Sequence, residues 1–369
     1  MVIPISEFNT IGDALDAIRE GNLVVVVDDA DRENEGDLIM AAAKATPESV
    51  AFMVRHTSGI LCTPITMEQA TRLNLDPMVA RNDAPLATAF TVSVDYRHGL
   101  STGIAADERA NTVLALASNN TQANDFVRPG HVFPLVGRKG GVLVRSGHTE
   151  ASIDLAEAAG CAPVGLLAEI VNDDGSVKRL DALHIFAKEH GLPIISIADL
   201  IAWRQQREKL VERISQFQVN TAIGKAEGVA YKTKFEDAEH LALVYGDINP
   251  DRTTLVRIHR EKLIEDVFGP QEMQHEQRLV DIALERIKRH GSGVFIYLRS
   301  GFSGVPLDRL KTENHDSEIR RANQWLEIGV GAQILRELGI NKIKLLAGRE
   351  IDYVGLEGFG LTLTGTELL

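Results

Sequence analysis

The sequence contains too little cysteine to build a cross-linked scaffold. Its two cysteines, Cys62 and Cys161, lie far apart, and neither belongs to a C-x-x-C pair. A disulfide framework and an all-cysteine zinc site both need more thiols than this. An apolar core must therefore stabilise the fold, and 369 residues with 44 % hydrophobic content are enough for two ordinary domains.

Long apolar runs are also missing. A membrane-spanning helix needs a run on the order of 18 apolar residues, and none occurs. The first residues do not show a charged segment followed by an apolar one, as a secretion signal does. We therefore expect a cytoplasmic protein without a membrane partner.

Positive charge is scarce in the first part of the chain. The formal net charge is −13, and residues 1–203 hold 15 of the 39 basic but 27 of the 52 acidic residues. Nucleic acids and anionic membranes attract basic surfaces, so we expect no nucleic-acid partner. Such an acidic region fits carboxylates gathered for a cation, but most acidic domains simply have a solvated surface.

Helical and strand patterns alternate without an internal repeat or a low-complexity segment. Helices are predicted from Asn9 or Thr10 to Gly21, from Thr46-Pro47-Glu48 onward, and over Ala151–Ala159 between an N-cap at Thr149 and Gly160. Strands are predicted at Leu23–Val27, Phe90–Val94, Gly141–Val144 and Val164–Val171, with a turn at Asn172–Gly175. This mixture indicates a layered α/β or α+β domain.

A charged helical pattern marks the boundary to the second half. It starts near Ile197 and continues to Arg213, which predicts a first domain over 1–205, a helical linker over 206–219 and a second domain over 220–369. Further elements are predicted beyond it: strands at Leu241–Tyr245, Leu255–His259, Val294–Leu298 and Ile343–Leu346, and a helix at Ala322–Leu338.

An acidic loop follows the strand of four valines. Asp28, Asp29, Asp31, Glu33, Glu35 and Asp37 lie within it, with Arg32 among them. Carboxylate oxygens are the ligands that Mg²⁺ prefers, and loops at strand ends often carry function. The alternative is a solvated acidic turn. Arg32 inside the cluster and the return to apolar Leu38-Ile39-Met40 favour the functional interpretation.

A second group of candidates is the segment Arg145-Ser146-Gly147-His148-Thr149 at a predicted helix start. Free N–H groups at a helix N-terminus favour a phosphate, which Arg145 can bind in bidentate fashion. His148 can ligate a metal through one ring nitrogen. The alternative is a capped helix with a surface arginine and a hydrogen-bonded histidine.

Three single residues complete the set. His131 is held in a turn by Pro129 and Gly130, and is either functional or structural. Glu169 lies in an otherwise apolar strand, where burial can raise a carboxyl pKa for proton transfer, although an exposed strand face explains it too. Cys62 is expected to be a buried, inert thiol.

Together these segments resemble 3,4-dihydroxy-2-butanone 4-phosphate synthase of riboflavin biosynthesis. The match runs in order over roughly residues 5–205, through the strings at Asp28–Asp37, His56–Ile60, Arg128–Pro134, Arg145–Glu150 and Asn172–Gly175. The resemblance implies a three-layer α/β/α domain with a mixed sheet, and a homodimer with sites near the subunit interface. It implies conversion of D-ribulose 5-phosphate to L-3,4-dihydroxy-2-butanone 4-phosphate and formate.

The resemblance also assigns roles to matching residues. Glu33 and His148 would bind two ions, Mg²⁺ or Mn²⁺, and no zinc is expected. The substrate would be held by Arg32, Glu33, Asp37, Glu169 and the segment Arg145, Ser146, Gly147, His148 and Thr149. His131 and Glu169 match essential positions, and Asp37, Glu35 and Glu169 are candidate bases for removing the proton beside the carbonyl.

The second half resembles GTP cyclohydrolase II, an α/β domain, through strings such as Leu255–His259, Asp266–Gly269 and Gly355–Gly360. The three zinc cysteines of that family fall at Lys262, Met273 and His275. Its nucleotide-binding string becomes Ser300–Gly304, its catalytic Asp and Arg fall at Gln324 and Leu326, and its late Thr and Lys fall near Ala347 and Asp352. Lysine and methionine cannot form the tetrahedral zinc site, so we predict no GTP cyclohydrolase II activity.

Two alternatives remain beside a monofunctional lyase with a degenerate second domain. One is a bifunctional enzyme that also hydrolyses GTP by another arrangement. The other is a non-catalytic regulatory protein that kept both folds.

Overall fold

The computed structural model describes residues 8–29, 32–84, 86–234, 238–269, 278–299, 329–348 and 359–369. It divides into two compact units, Met1–Trp203 and Arg204–Leu369, each built around one sheet. Among the described residues, none of the helices has the length and apolar character needed to cross a membrane.

The sheet of the first unit has the strand order β4-β5-β3-β6-β2-β1-β7. Its strands are β1 Val24–Val27, β2 Gly36–Ala41, β3 Cys62–Ile65, β4 Val94–Tyr96, β5 Phe126–Val136, β6 Gly165–Glu169 and β7 Ile194–Ser196. The β1–β7 and β3–β5 pairs are parallel and the other pairs antiparallel, so the sheet is mixed as predicted.

Helices cover both faces of this sheet, which makes the three-layer arrangement. They are α1 Ile11–Glu20, α2 Pro47–His56, α3 Met67–Arg72, α4 Ala106–Ala117, α5 His148–Ala158, α6 Leu180–His190 and α7 Ile197–Arg207. All four valines of β1 are buried, as a strand covered on both sides requires. One core, with Val25 and Val27, includes residues of α2, α4 and α6, whereas α1 and α5 contact each other and β2.

Local signals in the sequence placed several elements correctly. Thr10 caps α1 in a capping box and Gly21 ends it with φ 89°; Thr46 caps α2, with Pro47 in its first turn. The strands β1 and β6 lie inside the predicted ranges. Gly175 donates its N–H to the carbonyl of Asn172, which confirms that turn.

Four predictions were wrong in detail. The strand at Phe90–Val94 starts only at Val94, and Phe90 forms an isolated bridge with Leu135. Gly141–Leu143 is a 3₁₀ helix because Gly140 and Gly141 have φ of 99° and 62°, outside the range of a strand. Helix α5 starts at His148 with Gly147 as N-cap, so Thr149 is not the cap.

The helical linker over 206–219 was the fourth. Helix α7 ends at Arg207, and the strand β8 Val211–Thr221 begins four residues later, after Glu208, Lys209 and Leu210. This strand pairs with its neighbour β9 Gly224–Thr233 along its length. Cross-strand hydrogen bonds therefore override the helical charge pattern.

The sheet of the second unit has the order β14-β13-β11-β12-β10-β9-β8. Its remaining strands are β10 Glu239–Tyr245, β11 Thr253–Arg260, β12 Gly293–Leu298, β13 Lys342–Ala347 and β14 Thr362–Leu368. They contain all four predicted strands. The helices are α8 Leu263–Phe268, α9 Leu279–His290 and α10 over 329–337; residues 322–328 of the predicted helix lie outside the described part.

Candidate active site

The acidic loop is organised by Asp28. Its Oδ2 accepts hydrogen bonds from the Glu33 N–H at 3.0 Å and from Arg32 Nη1 at 3.0 Å, and its Oδ1 accepts from the Glu35 N–H at 2.9 Å. The Asp28 side chain is only 1 % exposed. Arg179 adds a brace from outside, because its Nη1 donates to the Glu33 carbonyl at 2.6 Å. These bonds fix the described loop residues Arg32, Glu33 and Glu35 relative to Asp28.

Glu33 and His148 meet at the open side of this loop. The Nδ1 of His148 lies 3.6 Å from Glu33 Oε2 and 3.9 Å from Asp37 Oδ1. On the other side of the ring, Nε2 lies 3.1 Å from the Val26 carbonyl, to which it can only donate. The neutral ring then carries its proton on Nε2 and directs the lone pair of Nδ1 at the carboxylates.

This arrangement fits a divalent cation. Asp28, Glu33 and His148 are the candidate metal-binding group found in the described part of the chain. Two ligands of one ion at ~2.1 Å are about 3–4 Å apart, as Glu33 and His148 are. Asp28 uses both its oxygens on loop donors, so Glu33 and His148 are the better ligand pair. Asp37 Oδ1 is buried and has no hydrogen-bond partner among described residues, as a group awaiting a ligand would be.

The register of the sheet places Asp37 beside Glu169. These two residues are paired across β2 and β6. The Ser58 hydroxyl donates to Glu169 Oε2 at 2.7 Å, and the Ser58 N–H donates to the Glu169 carbonyl at 2.8 Å. Glu35, from the acidic loop, interacts electrostatically with both Glu33 and Glu169. The three candidate bases thus lie in one neighbourhood.

Burial and charge pull the pKa values of this cluster in different directions. Burial would raise the pKa of Glu33, but the hydrogen bond with His148 and the charge of Arg32 outweigh it and lower the pKa to about 2. Burial and the nearby carboxylates Glu169 and Glu33 raise the pKa of Asp37 to about 7, against the opposing charge of His148. Burial and the charges of Glu33 and Glu169 raise the pKa of Glu35. Carboxyl groups with separated pKa values suit proton transfer near neutral pH.

His148 is the counterpart of these carboxylates. Its burial alone would lower its pKa, but Asp37, Glu33 and Asp28 outweigh that and raise it to about 9. A cation at Nδ1 would therefore replace a proton there.

Arg145 and Arg32 border one small space at the start of α5. A side chain at Gly147 would come within 2.5 Å of Arg145 Nη1 and 3.1 Å of Arg32 Nη2. Glycine here lets two guanidinium groups lie against the backbone at the helix N-terminus, with Glu150 Oε2 also 3.1 Å from that point. Two guanidinium groups beside a helix N-terminus favour an anion. The Ser146 hydroxyl is buried without a partner in the described structure, and Thr149 lies in the first turn of the helix.

Arg145 is in turn held by Glu150. Its Nη1 donates to Glu150 Oε2 at 2.7 Å, and the other oxygen of Glu150 accepts the Arg138 N–H at 3.0 Å. The Glu150 side chain is 1 % exposed. The position of the arginine is therefore fixed before any anion binds.

His131 lies on β5, at the end of the sheet where Glu169 lies on β6 and Asp37 on β2. Phe133 pairs with Cys62, and Cys62 with Leu167, so His131 and Glu169 lie two residues further toward that edge on β5 and β6. Its Nδ1 is 2.7 Å from Asp95 Oδ2, and its N–H donates to Asp95 Oδ1 at 2.8 Å. Cys62 is buried, and burial with the charges of Glu169 and Asp37 raises the pKa of its thiol, as expected for an inert cysteine.

Four supporting residues were not singled out from the sequence. Asp28 and Glu150 belong to the matching strings but were not assigned positioning roles, and Ser58 and Asp95 had no catalytic residue near them in sequence. Their hydrogen bonds with Glu169 and His131 connect residues 111 and 36 positions apart. A spacing signal does not exist for such pairs, because the sheet register creates them.

Most positions of the second unit that match functional residues of GTP cyclohydrolase II lie outside the described residues. Lys262 precedes α8 and its Nζ pairs with Glu265 at 2.7 Å, and Ala347 ends β13. Met273, His275, Ser300–Gly304, Gln324, Leu326 and Asp352 lie outside the described residues. Nearby, His259 Nε2 is 2.9 Å from Asp266 Oδ1, and the Tyr297 hydroxyl donates to Asp266 Oδ2 at 2.8 Å. These groups satisfy one another.

Comparison with known proteins identifies both units. The 3,4-dihydroxy-2-butanone 4-phosphate synthase family pattern matches residues 12–203, and that of GTP cyclohydrolase II matches residues 212–367. Two relatives from Arabidopsis thaliana cover 98 % of this chain. One, named a bifunctional riboflavin biosynthesis protein, is 45 % identical over 69 % of its own length. The other, named monofunctional, is 46 % identical over 77 % of its length.

Solved structures agree with this division. RibBX, a two-domain 3,4-dihydroxy-2-butanone 4-phosphate synthase from A. baumannii, matches with a TM-score of 0.81 and 35 % identity, over 98 % of this chain and 99 % of its own. A 3,4-dihydroxy-2-butanone 4-phosphate synthase in complex with two magnesium ions matches with a TM-score of 0.53 and 44 % identity. That match covers 54 % of this chain and 98 % of the other.

Proposed function

Because this chain belongs to the 3,4-dihydroxy-2-butanone 4-phosphate synthase family, we propose that its first unit converts D-ribulose 5-phosphate to L-3,4-dihydroxy-2-butanone 4-phosphate and formate. The observation that carries this proposal is the convergence of Glu33, Asp37 and His148 at the end of β1, beside the Arg32–Arg145 space. One part of this surface suits a cation, and the adjacent part suits a phosphate.

Glu33 and His148 would hold the divalent ions, Mg²⁺ or Mn²⁺, with Asp37 next to them. Bound there, the ions would supply Lewis-acid stabilisation of negative charge on the sugar oxygens. The fit rests on His148 Nδ1, which faces Glu33 and Asp37, on the partly exposed Glu33 and on the buried Asp37 oxygen, which has no hydrogen-bond partner among the described residues. A complex of a family member with two magnesium ions supports this choice of metal.

The residues of the chain itself would bind and orient the substrate and move its protons. Arg145, fixed by Glu150, and Arg32 would bind the phosphate with the N–H groups of His148 and Thr149 in the first turn of α5. Asp37, Glu35 and Glu169 are the groups placed to take the proton beside the carbonyl, and His131 is a further proton-transfer group. Ser58 would keep Glu169 in place.

We propose that the second unit does not hydrolyse GTP. The whole chain has no cysteine after Cys161, so it cannot supply zinc cysteines in this unit. Sequence similarity does not decide whether the second unit hydrolyses GTP, because one relative of nearly equal identity is named bifunctional and another monofunctional.

Product analysis separates these proposals. The full-length protein is incubated with Mg²⁺ and either ribulose 5-phosphate or GTP, and the organic product is identified by NMR; both reactions release formate, so formate alone is not informative. We expect the butanone phosphate from the sugar and unchanged GTP. Unconverted sugar phosphate would refute the first proposal, and a diaminopyrimidine from GTP would refute the second.

We also propose a homodimer. The first unit exposes large apolar side chains at Ile60, Met78, Val79 and Ile104, each more than two-fifths exposed. Exposed apolar side chains supply contact area for an interface between chains. Light scattering coupled to gel filtration is expected to give twice the mass of 40.3 kDa. A monomeric mass at micromolar concentration would contradict this.

A further inference from the structure

The Asp95 carboxylate contacts His131 at two points, the backbone N–H and the ring Nδ1. The carboxylate, 3 % exposed, accepts the backbone N–H of His131 through Oδ1 at 2.8 Å and faces the ring Nδ1 through Oδ2 at 2.7 Å. The His131 side chain is 41 % exposed. One nitrogen of the ring is thus engaged by the protein.

A buried arginine interacts electrostatically with this carboxylate. Arg109 on α4 is 6 % exposed, and its Nε has no partner among the described residues. Its Nη1 reaches only the Gly59 carbonyl at 3.4 Å. Burial lowers the pKa of Arg109, and the negative charge of Asp95 opposes that effect. A buried cation needs a nearby anion, and Asp95 provides it.

A backbone turn closes over the Nδ1 side of His131. Gly103 has φ 83°, and a side chain there would come within 2.2 Å of Asp95 Oδ2 and 2.6 Å of His131 Nδ1. The turn is pinned by the Glu108 carboxylate, which accepts the N–H groups of Ser101 and Gly103, the latter at 2.9 Å. Substrate therefore cannot approach His131 from Nδ1.

We propose that Asp95 is a positioning residue that fixes the proton of neutral His131 on Nδ1 and leaves Nε2 with the lone pair for the reaction. The proposal rests on the proposed synthase function and adds a residue to it. His131 N–H and Nδ1–H both donate to the one carboxylate, whose charge Arg109 stabilises. In the neutral form of His148 the proton is instead on Nε2, which faces the Val26 carbonyl.

Asp95→Asn distinguishes this role from simple bracing of β4 against β5. If the amide oxygen keeps the bond from the His131 N–H, its NH₂ group faces Nδ1 and can only donate. The ring must then move its proton to Nε2, and Nε2 loses its lone pair. We expect kcat to fall by about 10²–10⁴-fold, the effect of a reversed tautomer at a histidine that transfers protons, with KM within about threefold.

The tautomer is read directly by ¹⁵N NMR of histidine-labelled protein, with His131→Gln for assignment. The wild type should show the proton on Nδ1, and Asp95→Asn should show it on Nε2, with Mn²⁺ affinity unchanged in both. Asp125→Asn is the matched control: Asp125 Oδ1 lies 3.0 Å from the exposed His98 Nε2, and its removal should leave kcat unaltered.

A proton on Nε2 in the wild type would overturn the proposal, and so would an Asp95→Asn protein with the kcat of the wild type. If Asp95→Asn does not fold, the wild-type spectrum alone decides. Failure of the proposed function is distinguishable, because it shows as an inactive wild type whatever the tautomer.

Discussion

Asp28 offers the sharpest test of which interactions stabilise the acidic loop. The substitution Asp28→Asn leaves one acceptor oxygen where two served, and its NH₂ group points at N–H donors. The carboxylate receives three hydrogen bonds at 2.9–3.0 Å, at 1 % exposure. With ~1.5–3 kcal/mol for each charged hydrogen bond, the loss of one or two costs about 1.5–6 kcal/mol. For a unit of this size that lowers Tm by on the order of 10 °C.

The direction of the change in Tm distinguishes a residue that stabilises the loop by hydrogen bonds from a residue whose main role is to bind a metal. Without metal, a carboxylate whose main role is ligation adds repulsion among Glu33, Asp37 and itself, so removing its charge would raise Tm. A brace gives the opposite result. Thermal unfolding is followed in EDTA at pH 7, with Asp16→Asn as the matched control, because Asp16 is 71 % exposed. An Asp28→Asn protein that melts at or above the wild-type temperature would refute the bracing role.

Three further predictions concern other parts of the chain. Glu150→Gln frees Arg145 and should raise KM for ribulose 5-phosphate about tenfold with a smaller change in kcat; unchanged steady-state kinetics would contradict the positioning of Arg145. Iodoacetamide at pH 8 should label the half-buried Cys161 and spare Cys62, whose pKa is raised by burial; peptide mass spectrometry that finds both labelled at one rate would disprove this. Burial lowers the pKa of His240 to about 4 from 6.5, so between these pH values the histidine takes up a proton only when the protein unfolds. The free energy of unfolding of the second unit should therefore fall by roughly 3 kcal/mol as the pH falls through that window. Denaturant unfolding of the wild type and His240→Gln measures this; equal pH slopes would contradict it.

Sequence signals succeeded where structure is set locally. Thr10 and Thr46 fixed helix starts, because their side chains accept a backbone N–H three residues away, and Gly21 fixed a helix end because it adopts a φ of 89°. The valine run at β1 indicated a strand buried on both faces. Candidate residues on one loop, such as Arg32, Glu33 and Asp37, could be found for the same reason.

Sequence signals failed where the structure depends on distant partners. Strand β8 has the charge pattern of a helix, but pairing with β9 determines its conformation. The residues around Asp95 do not predict its contact with His131, and those around Ser58 do not predict its contact with Glu169. Only the register of the sheet brings them together, and a single sequence does not carry that register.

The most direct test of the account follows uniformly ¹³C-labelled ribulose 5-phosphate by NMR with wild type, Glu33→Gln and the exposed-site control Glu48→Gln, at saturating Mg²⁺. Glu33 is the partly exposed residue opposite His148 Nδ1 that we propose as a metal ligand, and Glu48 is exposed on α2. We predict equal amounts of four-carbon phosphate and formate from wild type and Glu48→Gln, and a rate at least about 100-fold lower from Glu33→Gln. A Glu33→Gln protein as fast as the wild type would contradict the assignment of this site.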